Sequence, residues 1–149
     1  MIIDSHCHLE YEPMSLDLKE TISRANKDGV KFLLTISTTD NSLKKILKIT
    51  SDFNCVYGTY GIHPHEAKNH RSIKSHEIIK KVNSSKKIIG IGETGLDFYY
   101  NHSEKKDQME CFEEHINAAQ SSNLPLIVHT RSAEKETLEL LKKKKKKRF

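Results

Sequence analysis

At 149 residues, with 30% charged and 36% hydrophobic residues, the chain has the size and composition of one globular domain with a real core. No run approaches the ~18 consecutive apolar residues of a membrane span, and no basic segment leading into an apolar one marks a signal peptide. The net charge of +5 belongs to the extreme C-terminus: setting aside Lys142–Lys147 and Arg148 leaves 18 basic against 20 acidic residues and a body of charge −2. The body therefore offers no basic patch for nucleic acid, and any such attraction rests on the tail. Cys7, Cys55 and Cys111 are odd in number, far apart and without CxxC spacing, which predicts reduced thiols in a cytoplasmic protein.

Strand-like and helical stretches alternate along the chain. Met1–His6 is an apolar strand. From Ser15 to Asp28, Leu16, Leu18, Ile22 and Ala25 fall near helical spacing, with Ser15 as N-cap and Gly29 as the stop. Val30–Ser37 reads as a second strand, and Asn41–Asp52 as a second helix carrying Leu43, Ile46, Leu47 and Ile49 on its core face. Cys55–Gly61 and Ser75–Asn83 repeat the pattern, as do Lys87–Glu93 and the long helix Ser103–Ser121. Pro125–His129 is a fifth strand, and Ala133–Leu141 begins a fifth helix. Repeated βα units with short apolar strands argue for a parallel sheet covered by helices. An open doubly wound sheet and a (β/α) barrel both fit that pattern.

The distribution of chemistry favours the barrel. His6, His8, His63, Glu93 and His129 all lie at or just beyond the C-terminal ends of four strands, where barrel enzymes assemble their sites. His6 and His8 stand two apart on one strand, so they share a face while Cys7 points away. Neutral imidazoles paired in this way make half of a site for zinc or a neighbouring transition metal. Glu93 at its strand end can bridge metals or orient water, and Gly90 and Gly92 before it suggest a close approach to the backbone. With His129 they form an N/O ligand set.

The segments Asp4-Ser5-His6-Cys7-His8-Leu9, Gly61-Ile62-His63-Pro64-His65, Gly92-Glu93-Thr94-Gly95-Leu96-Asp97-Phe98-Tyr99 and Val128-His129-Thr130-Arg131 resemble, in order, the signatures of TatD-type metal-dependent deoxyribonucleases. That family belongs to the amidohydrolase-like TIM barrels, and the likeness runs from Met1 to about Leu140. The resemblance implies that His6 and His8 hold one divalent metal, that Glu93 bridges a pair, and that His129 ligates the second. It places His63 and His65 beside the metals in contact with substrate phosphate, and gives Asp97 and Arg131 a part in shaping the pocket. The implied reaction is hydrolysis of DNA phosphodiesters, usually the exonucleolytic trimming of single strands. Metal would lower the pKa of a water to ≈ 7 and stabilise attacking and leaving oxygens. The ligand types suit zinc, manganese or iron, and magnesium serves related enzymes.

The family pattern continues past this chain, to a further ligand histidine and a late aspartate. A full (β/α)₈ barrel takes about 250 residues. The expectation is therefore a barrel of some five βα units over residues 1–141, truncated at its C-terminus, with a weakened second metal position and with open edges that favour oligomerisation or aggregation. Residues 142–149 form a basic tail that a frameshift in an adenine-rich tract would explain. Two other functions fit the sequence: a non-catalytic fragment that binds nucleic acid through its lysines, and a metal hydrolase of other esters or amides.

Overall fold

The computed structural model describes residues 1–145. Five parallel strands lie side by side in chain order: β1 (Ile2–Cys7), β2 (Val30–Thr35), β3 (Val56–Tyr60), β4 (Ile88–Asp97) and β5 (Leu126–Arg131). They are linked by α1 (Leu18–Lys27), α2 (Asp40–Asp52), α3 (Ser75–Val82) and α4 (Lys105–Ser122), and α5 (Glu134–Lys145) follows β5. A doubly wound sheet reverses its strand order at a switch point. This sheet never reverses, so the architecture is an incomplete (β/α) barrel, as the strand-end chemistry predicts.

The core lies between the sheet and its helices. Ile46 of α2, Tyr60 of β3, Ile78 of α3 and Ile91 of β4 have no solvent exposure and pack in one cluster. Each such aliphatic side chain contributes about 1.5–3 kcal/mol on burial. A second cluster joins Ile22 of α1 to Leu33 and Val56, and a third joins Leu96 to Phe112, Ile116 and Leu140. The opposite face is open: Ile3, Phe32 and Ile89 are 55%, 40% and 39% exposed and, with Tyr57, line an apolar cavity of about 330 Å³.

Helix boundaries follow local chemistry. At α2 the Thr39 hydroxyl accepts from the Ser42 amide while the Ser42 hydroxyl accepts from the Thr39 amide, a reciprocal box built with serine in place of glutamate. Helix α4 ends at Asn123 in the left-handed region, two residues before Pro125. The predicted first helix divides: Ser15 is not its cap but sits inside a 3₁₀ turn, Met14–Asp17, after Pro13, and its amide donates to Tyr11. Helix α1 starts only at Leu18, and Gly29, at φ 93°, follows its end as expected.

Three strands also differ from expectation, β5 among them, which runs two residues beyond His129 to Arg131. Strand β2 stops at Thr35, because Ile36 and Ser37 turn away to serve the site, and β4 runs four residues beyond Glu93, since β5 pairs with it as far as Asp97 and Arg131. A 3₁₀ helix over Pro64–Asn69 had no sequence signal beyond its proline. The predicted basic tail, residues 142–149, begins inside α5: the helix continues to Lys145, and Lys144, only 5% exposed, places its ammonium 2.6 Å from Glu113 on α4. Residues 146–149 lie outside those described.

Candidate metal centre

One end of the sheet gathers the histidines and carboxylates. Beyond β2, the carbonyls of Ser37 and Thr38 accept from the amides of Glu93 (2.8 Å) and His63 (2.9 Å). The buried Thr59 hydroxyl accepts from Ser37 and donates to the Gly92 carbonyl, so neighbouring strands fix the backbone that carries Glu93. The close approach foreshadowed by the glycines is β5 itself. A Cβ on Gly92 (φ +134°) would lie 2.4 Å from the Ile127 carbonyl oxygen, and one on Gly95 (φ +140°) would lie 2.0 Å from that of His129. Only glycine lets β4 come so near the strand that presents His129.

Two groups of donors converge on Glu93. His6 Nε2 and His8 Nε2 lie 3.6 and 4.0 Å from its Oε2. On the other side, His129 Nδ1 stands 3.3 Å from Oε1 and 3.4 Å from His63 Nε2. Within each triad the potential ligand atoms are all within 4.8 Å of one another. His6 and His8 share a face as the strand alternation predicts, with rings 5.4 Å apart, while the Cys7 thiol donates instead to the Leu34 carbonyl.

The surroundings decide which ring nitrogens are free. A carbonyl can only accept, so His8 Nδ1–H donates to Ile36 O at 3.0 Å and its Nε2 lone pair faces Glu93. Glu10, fully buried, adds a carboxylate 3.4 Å from the same Nδ1 and accepts from the Thr35 hydroxyl at 2.7 Å. On the opposite side, Asp97 Oδ2 lies 3.0 Å from His129 Nε2 and from His65 Nε2, which directs His129 Nδ1 toward Glu93. Asp97 is itself clamped: its amide donates to the Gln108 side chain, whose NH₂ bonds the Asp97 and Ser103 carbonyls. Carboxylate or carbonyl partners behind metal-binding histidines set tautomer and orientation in this way.

Burial and hydrogen bonding set the charge of each group in the cluster. Burial, and then the facing His129, push the His63 pKa down to about 4. The hydrogen bond to Glu93 raises that of His129, and the bond to Glu10 raises that of His8, both against burial. Burial works to raise Glu93, but His129 and the surrounding imidazoles outweigh it and hold the carboxyl low. Asp97 is held at about 2: burial is overcome by the Tyr100 amide, His65, His129 and the Tyr99 amide. Near neutrality the ionised carboxylates of Glu93 and Asp97 face the imidazole nitrogens, and the nitrogen and oxygen donors around Glu93 fit a divalent metal on either side of it.

Of the residues singled out from sequence, His6, His8, Glu93, His63 and His129 meet at the two triads, and His65 and Asp97 adjoin them. His63 falls in the second triad, with its Nε2 3.4 Å from His129 Nδ1. Arg131 is separate: its guanidinium lies over the rings of Tyr99 and Tyr100. Sequence reasoning missed Glu10 and Thr59. A cavity of about 290 Å³ opens at this end, with Tyr11, Thr38 and Thr39 on its wall beside His8, His63 and Glu93.

Parallel strands in unbroken order, four of them bringing a nitrogen or oxygen donor to one end, define the class of (β/α)-barrel proteins whose strand ends could hold a metal. Within that class the chain belongs to the TatD-related DNase family, whose model matches residues 3–149. It is 36% identical over 149 residues to an uncharacterized metal-dependent hydrolase of Buchnera aphidicola from Acyrthosiphon pisum, covering 94% of this chain and 56% of the relative. The uncharacterized metal-dependent hydrolase YcfH of Escherichia coli K12 is 32% identical over 147 residues, covering 97% and 54%. The fold matches the crystal structure of YjjV, a TatD homologue from Escherichia coli K12, with a TM-score of 0.84 at 24% identity over 96% of this chain and 56% of that one. The chain thus spans little more than half the length of the relatives it matches.

Proposed function

We propose that the protein is a metal-dependent phosphodiesterase acting on DNA. The observation that carries this reading is the pair of donor triads sharing Glu93: His6 and His8 on one side, His63 and His129 on the other. A divalent metal held there supplies Lewis acidity, activating water near neutral pH and neutralising charge on phosphoryl oxygens. Zinc, manganese and magnesium are the candidates by donor type. Glu93 contributes one carboxylate oxygen to each side. Asp97 and Glu10 hold the imidazoles of His129 and His8 in their ligating tautomers. His65, 28% exposed at its side chain and bonded to Asp97, is the group of this cluster best placed to meet a substrate phosphate. The family supports a nucleic-acid substrate, and the three free cysteines suit a reducing cytoplasmic setting. Among the described residues no helix is long and apolar enough to cross a membrane.

The test is metal-dependent release of nucleotides from labelled single-stranded DNA, run beside a His6→Ala/His8→Ala variant. Activity in the wild type, lost in the variant and absent under chelation, is the expected result; metal-independent release would contradict it. The same donors serve ester and amide hydrolysis, so cleavage of those substrates with none of DNA would move the assignment there. Binding of nucleic acid through the lysine run is the weaker alternative, because Lys144 of α5 is already engaged by Glu113 of α4. Among the described residues β1 and β5 are the outer strands of the sheet, and the apolar face lined by Ile3, Phe32, Tyr57 and Ile89 supports self-association of this chain, which sedimentation at varied concentration would read.

A further inference from the structure

Beside the second triad stands a group of rings and a cation that the donor clusters do not use. Asp97 divides its carboxylate between two tasks. Oδ2 faces His65 and His129, whereas Oδ1 accepts from the amides of Tyr99 and Tyr100, both at 3.1 Å. The turn carrying the tyrosines is therefore held in register with the candidate metal centre by one side chain. Both rings are presented outward, 61% exposed at Tyr99 and 47% at Tyr100, and meet edge to face at 4.8 Å. Arg131, paired across from Asp97 on β5, sets its guanidinium carbon 4.7 Å from one ring centre and 4.6 Å from the other. Among the described residues no carboxylate pairs with that guanidinium. His102 lies nearly parallel to Tyr100, 12° between planes, and touches His65 edge-on at 4.5 Å.

Half-exposed tyrosine rings beside a guanidinium that pairs with no described carboxylate offer a ligand a stacking surface and a positive charge together. A nucleotide uses both, with a flat base to stack and a phosphate to meet the guanidinium. A base inside a duplex has its faces covered by its neighbours, so only a single strand can offer one. We propose that Tyr99, Tyr100 and Arg131 form a stacking platform for a base of single-stranded nucleic acid, next to the phosphodiester addressed by the metal centre. The proposal rests on the phosphodiesterase reading for its substrate, and it makes the platform the source of preference for base-bearing single strands.

The experiment measures binding of a single-stranded DNA hexamer containing 2-aminopurine, whose fluorescence is quenched on stacking, with EDTA present to stop cleavage. A hexamer with abasic sites in place of its bases is the comparison. The wild type is expected to quench the probe and to bind it about tenfold more tightly than the abasic strand. That ratio should collapse toward one in Tyr99→Leu and Tyr100→Leu and persist in Tyr99→Phe, with thermal unfolding by circular dichroism unchanged at these exposed positions. No quenching by the wild type, an undiminished ratio in both leucine variants, or equal affinity for the duplex overturns the platform. Metal-dependent cleavage of the abasic strand by the wild type is read separately. Cleavage without base preference leaves the hydrolase standing and removes the platform. Base preference without any cleavage keeps the platform and removes the hydrolase.

Discussion

The two halves of the donor cluster are built with unequal support. On the first side His6 and His8 sit on an edge strand, and their side chains are 44% and 35% exposed. His8 is fixed from behind by the Ile36 carbonyl and Glu10, but none of the contacts around His6 is a comparable anchor. On the second side His63 and His129 rise from β3 and β5 on either side of β4. Asp97 holds His129, and Gln108 holds Asp97 in turn. The second half is therefore pre-organised, while the first relies on whatever binds there to order it. Preformed geometry lowers the ordering cost of binding, so the second side should fill first and hold more tightly.

The largest effect is expected at the residue both halves share. Glu93→Gln removes the anionic bridge and should abolish saturable divalent-metal binding in calorimetry. Retention of one full site would show that one half stands without it. Next comes Asp97→Asn, which takes away the carboxylate behind His129. Loss of such a partner costs about 10–100-fold in metal affinity. The weakening should fall on the tighter of two resolved sites, and an equal loss at both would contradict the unequal architecture. Glu10→Gln should cost less, about tenfold, and only at the weaker site, because Ile36 still accepts from His8.

Acid attacks the second half from behind. His115 on α4 is fully buried and neutral: its Nε2 accepts from the amide of Ile62, the residue before His63, and its Nδ1–H donates to the Cys111 carbonyl. Burial pushes its pKa down from 6.5 to about 4. Between those values the unfolded chain binds more protons than the folded one. This contribution to stability is therefore complete above pH 6.5 and falls as pH drops toward 4, by about 3 kcal/mol at most. Urea unfolding of wild type and His115→Gln across that window should diverge in slope, and parallel curves would count against the assignment.

Much of this was legible in the sequence, and the exceptions share a cause. His6, His8, Glu93 and His129 announce themselves because ionisable residues closing apolar strands are hard to explain otherwise, and the βα rhythm that places them is a local pattern. Glu10 gave no such signal: two residues beyond His8 it looks like loop polarity, and its burial depends on Thr35, distant in the chain. Gln108 and Thr59 are chosen by backbone groups that lack partners only once β4 lies beside its neighbours. Gly90 and Gly92 announced a close contact, but that the contact is β5 follows from sheet order. That Arg131 lies over the tyrosines could not be read from the sequence either, because its register opposite Asp97 is what brings it to their turn.

We propose that Glu93 joins two metal positions. Crystals soaked in manganese and measured for anomalous scattering test it most directly. Two peaks are expected about 3.5–4 Å apart, flanking the Glu93 carboxylate, one against His6 and His8 and one, the stronger, against His63 and His129. An ordered Glu93 with no peak beside it, or manganese bound only elsewhere on the chain, would contradict the account.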